Sequence, residues 1–148
     1  MEKILEEILK ETNSDRVVLY KIEQSDIFAS KRSLFHLRPQ IIISSDFAQQ
    51  FTSDEELSKR SYPYYIFVDA IQTLFLEGSF SYLTRVDNRV SEACAIGLEN
   101  ICTEVGAKSL NYFVVDEHYI ISIHHCRVPT LIKKSHINKY LSLLKRVL

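Results

Sequence analysis

One short stretch of the chain holds side chains whose types and spacing could do chemistry. It contains His118, His124, His125 and Cys126. Alternate residues of a strand share a face, so His124 and Cys126 are expected to be neighbours roughly 6–7 Å apart. An imidazole and a thiol could supply two ligands to zinc or another borderline metal, but a structural zinc site needs four. Because His118 lies too far along the strand to complete the site, we predict no metal site, and no cofactor is assigned.

His124 and Cys126 also allow a second kind of chemistry. A thiol next to an imidazole can be activated as a nucleophile, which would make the chain a thiol-dependent enzyme. No oxyanion-hole signature accompanies the pair. We therefore expect no catalytic residue and no enzyme, and we treat His124 and Cys126 as pocket or core residues that could contact a ligand. A normal thiol pKa at Cys126 would remove the enzyme alternative.

A cluster of aromatic residues lies in the middle of the chain. Tyr62, Tyr64 and Tyr65 surround Pro63. Their rings could line a pocket for a planar ligand or form an interaction surface. They could equally belong to a core segment whose hydroxyl groups reach the surface. We keep all three tyrosines as candidate ligand-binding residues.

Charged residues cluster at a turn that precedes a predicted helix. Arg85 and Asp87 could present charge, together with the amides of a helix N-terminus, to an anionic ligand. The alternative is a surface turn in which Asp87 or Asn88 caps the helix. Arg85 and Asp87 complete the set of candidate ligand-binding residues.

The composition excludes several classes of function. With 148 residues, 46% of them hydrophobic, the chain is long enough for a single domain, 1–148, with its own core. Its 18 basic and 19 acidic side chains give no general attraction to nucleic acid or to a membrane surface. The three glycines stand apart, so neither a P-loop nor a dinucleotide fingerprint occurs. No apolar run approaches the roughly 18 residues of a membrane span.

The cysteines indicate the redox compartment. Cys94, Cys102 and Cys126 form an odd number without framework spacing. Buried thiols in a reducing compartment fit this pattern better than disulfides. The N-terminal residues also lack the basic and apolar segments of a signal peptide. We therefore expect a cytoplasmic protein.

Hydrophobic periodicity predicts alternating helices and strands. Helices are predicted at 2–12, 54–60, 64–77, 90–105 and 135–147, and strands at 16–23, 34–44, 79–85, 108–115 and 119–126. The segment 64–77 is ambiguous, because its first residues have strand composition while its later residues have helical spacing. Gly78 favours a helix, since a left-handed residue commonly follows one. Pro39 predicts an edge or bulge position in the second strand.

The order of elements from Ser79 to Cys126 is the most distinctive part of the chain. A strand leads through a turn to a helix that ends in the sequence VGAKSL at 105–110, and a hydrophobic hairpin follows. With the elements before and after it, this layout resembles the GAF domain family. The resemblance implies an α+β fold with a central antiparallel sheet of about five strands. It also implies terminal helices on one face, a helical excursion on the other, and a pocket between that second face and the helices of 46–106.

The ligand motifs of that family are not matched. Cyclic-nucleotide-binding members carry an Asn-Lys, Phe and Asp-Glu signature that this sequence lacks. Bilin-binding members usually attach the chromophore through a Cys followed by His, whereas residues 124–127 read His-His-Cys-Arg. Members that reduce methionine sulfoxide need cysteines in glycine-rich settings, whereas Cys94 and Cys102 lie within a predicted helix. The resemblance therefore implies no particular ligand.

These observations together predict a non-catalytic regulatory or small-ligand-binding domain of GAF-like fold that acts through a partner or self-association. The alternative is a protein–protein interaction or structural accessory module without a small ligand. Acidic residues near the N-terminus and basic residues near the C-terminus predict that the terminal helices pack together and could meet a second copy in a homodimer. No stacking aromatic motif accompanies the lysines, so nucleic acid is not an expected partner.

Overall fold

The structure is a computed structural model, and it describes residues 1–25, 34–60, 62–63, 67–84 and 90–148. The helices are α1 (Glu2–Glu11), α2 (Asp46–Gln49), α3 (Asp54–Ser58), α4 (Val68–Glu77), α5 (Glu92–Val105) and α6 (Asn138–Val147), with a 3₁₀ helix (Lys134–His136) before α6. The strands are β1 (Arg16–Ser25), β2 (Leu34–Ser44), β3 (Tyr62–Pro63), β4 (Ser79–Leu83), β5 (Ser109–Val114) and β6 (Tyr119–His125).

The strands form one six-stranded sheet in the order β3-β2-β1-β6-β5-β4, and every pairing is antiparallel. Five strands are longer, and β3 contributes only two residues at the edge. The strand β1 lies inside the sheet, because Arg16 pairs with Ser44 of β2 on one side and with His124 of β6 on the other. The prediction of an α+β fold with a central antiparallel sheet of about five strands is confirmed.

Each face of the sheet carries its own hydrophobic core. On the terminal-helix face, α1 and α6 pack over Val17 and Leu19 of β1. On the opposite face, named the pocket face, α4 and α5 pack over Val18 and Tyr20. This division follows from the alternation of side chains along a strand. The predicted arrangement, with terminal helices on one face and the intervening helices on the other, is confirmed.

Local signals in the sequence act as predicted at several element ends. Gly78 and Gly106 end α4 and α5 with φ of +82° and +69°, a conformation that an L side chain rarely adopts. Pro39 lies in a β-bulge: Leu19 pairs with Ile41 and the next residue of β1 pairs with Pro39, so one residue of β2 is extra. The helix predicted at 54–60 is α3, and the Ser53 hydroxyl caps it.

One short helix was missed, and the helix predicted before Gly78 begins later than expected. The helix α2 was missed because four residues are too few to show a periodic pattern; the Ser45 hydroxyl caps it by accepting from the Ala48 amide at 3.3 Å. The helix predicted at 64–77 begins at Val68, and residues 64–66 lie outside the described ranges. None of the helices that the structure describes is long and apolar enough to cross a bilayer.

The cap of α5 is a further correction. The helix begins only at Glu92, so the alternative of a cap by Asp87 or Asn88 is wrong; both residues lie outside the described ranges. Ser91 precedes it, and its hydroxyl accepts a hydrogen bond from the Cys94 amide at 3.3 Å. Serine in this position satisfies one of the free amides of the first turn, as aspartate or asparagine would.

Candidate functional site

His124 is a buried residue on the pocket face of the sheet, and its role in ligand binding stays a prediction. Its side chain is 1% exposed, and its Nε2 lies 3.0 Å from the Ser122 hydroxyl. Burial, followed by the nearby charge of Arg16, lowers the pKa of His124 to about 3. The ring is therefore neutral at physiological pH. The next residue, His125, belongs to the other face, where its Nε2 lies 2.9 Å from the Thr12 carbonyl oxygen.

Cys126 lies one residue beyond the end of β6 and is buried as well. Its backbone amide donates to Asp15 Oδ2 at 2.8 Å, and its Sγ donates to the carbonyl oxygen of Val105 at 3.8 Å. Burial, reinforced by the charge of Asp15, raises the pKa of the thiol to about 11. A thiol in this state is protonated at neutral pH, which is the opposite of an activated nucleophile. These contacts do not favour the thiol-enzyme alternative.

The other candidate residues from the sequence fall largely beyond what the structure describes. Tyr64, Tyr65, Arg85 and Asp87 lie outside the described residues. The backbone of Tyr62 pairs with Leu37 of β2, but its side chain is also outside the description. Their roles in ligand binding stay predictions. Within the described ranges, no three His, Cys, Asp or Glu side chains come together in a group that could hold a metal ion.

The structure instead shows an apolar cleft between the pocket face of the sheet and α4. An inner cavity of about 30 Å³ lies over the sheet, and an outer cleft of about 270 Å³ lies beside it. Four residues line both spaces, so the two adjoin: Leu37, Ile71, Leu74 and Ile120. The remaining described residues of the inner cavity are also apolar or aromatic: Tyr20, Phe67, Ala70, Phe80, Leu98, Ile101 and Tyr112.

The cleft follows from the way two kinds of element meet. On α4, Ile71 and Leu74 lie three residues apart, so both side chains project from one side of the helix toward the sheet. Both are nearly buried, at 6% and 3% exposed, whereas Phe75 at the outer edge is 46% exposed. The strands β2 and β6 contribute Leu37 and Ile120 from below. The helix and the sheet thus enclose an apolar space that opens next to Phe75.

The turn between β5 and β6 forms one rim of the outer cleft through Glu117. The Asp116 carboxylate accepts hydrogen bonds from the backbone amides of His118 and Tyr119, at 2.8 and 2.9 Å. These bonds fix the turn, as aspartate side chains commonly do. The rim residue is thereby held on a defined backbone, with its own side chain exposed.

A buried arginine organises the far end of the pocket face. Arg16 is 0% exposed; its Nε donates to the Ser44 hydroxyl at 2.7 Å, and its Nη2 donates to the Thr52 carbonyl oxygen at 2.5 Å. Nη2 also lies 3.4 Å from the Ala48 carbonyl oxygen and 3.7 Å from Asp54 Oδ1. The guanidinium therefore fastens the segment of α2 and α3 to the first residue of β1.

The sequence contained signals for part of this site. Ile71 and Leu74 belong to the helical apolar pattern before Gly78, and Ile120 belongs to the closing hairpin. Nothing in the pattern distinguishes cavity-lining residues from core residues, because the gap between them arises only when the helix packs on the sheet. Arg16 was missed as well, since a charged residue at the start of a strand is usually solvated.

No protein-family model matches the sequence, and no curated protein matches it either. Solved structures do resemble it. A far-red cyanobacteriochrome photoreceptor superimposes with a TM-score of 0.65 at 8% identity, over 98% of this chain and 81% of that one. The PixJ GAF domain of Thermosynechococcus elongatus superimposes with a TM-score of 0.64 at 11% identity, over 99% of this chain and 83% of that one. The phycocyanobilin-bound GAF domain of a cyanobacterial phytochrome superimposes with a TM-score of 0.60 at 14% identity, over 95% of this chain and 79% of that one.

These structural similarities extend over nearly the whole chain, and all three structures have the same class of fold. The chain has a GAF-like fold, as the order of its elements predicted. At identities this low, the comparison establishes the fold alone. What the chain binds has to be argued from its own residues.

Proposed function

We propose that residues 1–148 form one non-catalytic regulatory domain of GAF-like fold that binds a small apolar molecule in the cleft beneath α4. The apolar cleft of about 270 Å³ beside the inner cavity carries this proposal. Ligand sites are typically concave and lined mainly by apolar side chains. The GAF-like neighbours, two of them named as photoreceptor or phytochrome proteins, support a sensory role for this fold.

The size of the cleft sets the size of the ligand. The outer cleft of about 270 Å³ is just below the roughly 300 Å³ at which pockets for drug-sized molecules begin. The inner cavity, about 30 Å³, has room for roughly one or two water molecules. A slender ligand that enters beside Phe75 and extends toward the inner cavity fits these dimensions. The order of His124 and Cys126 gives no support to a covalently attached bilin.

A chain-length series tests the proposal. Each buried methylene contributes about 0.8 kcal/mol, so affinity for n-alkanols from butanol to decanol is expected to rise about fourfold per carbon. The increase should stop at the length that fills the cleft, which titration calorimetry or competition with a fluorescent apolar dye can locate. An affinity that does not depend on chain length, or no measurable binding, would contradict a binding cleft.

Two matched variants locate the site. Leu74→Ala enlarges the cleft, whereas Leu144→Ala removes the same atoms from the core on the terminal-helix face. Both leucines are buried, so each variant is expected to lose about 2–5 kcal/mol of unfolding free energy. Only Leu74→Ala should shift the longest accommodated alcohol to a greater length. If both variants keep the wild-type length limit, the ligand does not occupy this cleft.

The terminal helices support a second candidate, in which the chain associates with a partner or with a second copy. Leu143 and Val147 are 39% and 53% exposed and lie one turn apart on α6. The helix α1 packs beside them, with the Tyr140 hydroxyl donating to Glu11 at 3.0 Å. Acidic α1 and basic α6 present complementary charge, so two copies could pair these helices about a two-fold axis.

Substitution of an exposed leucine distinguishes this surface from the rest of the molecule. We expect Leu143→Glu to convert a dimer to a monomer, because it places a charge in an apolar contact. Leu76→Glu makes the same change on α4, where the side chain is 87% exposed, and should leave the mass unchanged. Light scattering after size exclusion reports both. A wild-type mass of one chain at all concentrations would remove the homodimer.

A further inference from the structure

The charge that the described residues place around the cleft is one-sided. Among the described residues that line the inner cavity and the outer cleft, Glu117 is the one charged side chain. It is exposed and lies on the turn between β5 and β6, which the Asp116 carboxylate fixes. Within the ranges that the structure describes, Glu117 forms no ion pair. A ligand that follows the apolar wall outward therefore meets a carboxylate at the rim.

This arrangement distinguishes among the head groups of an otherwise apolar ligand. A carboxylate at the rim would face a like charge, and a neutral hydroxyl would face it without net attraction. An ammonium group would gain a favourable interaction with Glu117 while its hydrocarbon part stays in the cleft. We propose that the cleft prefers hydrophobic amines: molecules with an alkyl or aralkyl part that lies under α4 and an ammonium group that meets Glu117. This inference rests on the proposed ligand-binding function of the same cleft.

The size of the preference follows from the exposure of Glu117. Charge pairs at the protein surface contribute about 0.2–1 kcal/mol, because water screens them. The ammonium form of a ligand should therefore bind about 1.4- to fivefold more tightly than the alcohol of the same chain length. A carboxylate of that length should bind more weakly than the alcohol by a similar factor. Salt should reduce both differences, because ions screen exposed charges.

The test uses three probes with one chain length, n-octylamine, n-octanol and octanoate, titrated into the whole chain at pH 7.4 and low salt. In the wild type we expect the amine to bind most tightly and octanoate most weakly. Glu117→Gln should make the amine equal to the alcohol while the affinity for the alcohol stays the same. Glu7→Gln, at an exposed position of α1 on the terminal-helix face, is the matched control and should keep the wild-type order.

The outcomes separate this inference from the function on which it rests. If none of the three probes binds, the ligand-binding function itself is wrong. If the alcohols bind with the expected dependence on chain length but octylamine binds no more tightly than octanol, the proposed ligand-binding function is retained and the preference for amines is overturned. The same conclusion follows if Glu117→Gln leaves the amine preference intact, or if octanoate binds most tightly of the three.

Discussion

Replacing Arg16 by methionine tests the most unusual feature of the core. Methionine keeps most of the length of the apolar stem and removes the guanidinium, which is 0% exposed in the native protein. The carbonyl oxygen of Thr52 would lose its donor at 2.5 Å, whereas that of Ala48 would lose a contact at 3.4 Å but keep the Phe51 amide at 3.2 Å. Asp54 would lose an ionic partner at 3.7 Å. The folded state would then contain one buried acceptor, the Thr52 carbonyl oxygen, that bulk water satisfies when the chain unfolds.

The expected cost follows from these contacts. Leaving a buried acceptor without its hydrogen-bond donor typically costs about 1–3 kcal/mol. The upper end applies here, because the donor that Thr52 loses is charged; Asp54 adds little, since its side chain is 36% exposed and keeps a hydrogen bond from Ser44 at 2.6 Å. With a urea m-value of about 2 kcal/mol/M, a loss of about 3 kcal/mol lowers the unfolding midpoint by about 1.5 M.

Urea unfolding followed by circular dichroism measures this effect, and a surface arginine provides the control. Arg38 lies 54% exposed in β2 and pairs with Glu23 at 2.8 Å. Arg38→Met should cost less than about 1 kcal/mol, because exposed ion pairs contribute little. If Arg16→Met costs no more than Arg38→Met, or stabilises the protein, methionine replaces the buried network without penalty. The role given to Arg16 would then be wrong.

Three further predictions concern a turn, a thiol and a histidine. Gly106→Ala should lower the free energy of unfolding by about 1–2 kcal/mol because of its positive φ, and by more because an added Cβ would overlap the Phe51 ring. In a Phe51→Ala background the overlap is absent, so urea unfolding should show only the cost of the positive φ. Cys126, with its pKa raised to about 11, should resist iodoacetamide at pH 8 until urea unfolds the chain, and mass spectrometry showing rapid native labelling would contradict its burial. The pKa of His124 is about 3 in the folded chain and 6.5 in the unfolded chain, so the unfolded chain binds more protons between these two pH values. The free energy of unfolding should therefore fall by up to about 1.4 kcal/mol for each pH unit below pH 6.5. His124→Gln should remove this pH dependence from the urea midpoints.

Elements with strong local signals could be predicted from the sequence. The helix α5 combines a long apolar pattern with Gly106 at its end, and the hairpin of β5 and β6 combines two apolar strands with a polar turn. Pro39 marked its bulge because proline lacks the amide that a ladder needs. In each case the residues that determine the structure lie within a few positions of one another.

The features that were missed depend on residues distant in sequence. Arg16 is buried because carbonyl oxygens 32 and 36 residues further along the chain contact its guanidinium. No local sequence pattern predicts these contacts. The cleft depends on the distance at which α4 packs over β2 and β6. The apolar periodicity that includes Ile71 and Leu74 does not determine this distance. His124 and Cys126 were correctly placed near the end of a strand, but their burial is a consequence of the helices that cover the sheet.

The most direct test of the account is an NMR titration of the methyl groups with n-octanol. A ligand in the cleft beneath α4 should shift the methyl signals of Leu37, Ile71 and Leu74, which line it. The methyl signals of Leu5 and Leu144, in the core on the terminal-helix face, should stay in place. Shifts confined to the terminal-helix face, or no shifts at saturating octanol, would contradict the proposal that this cleft is the ligand site.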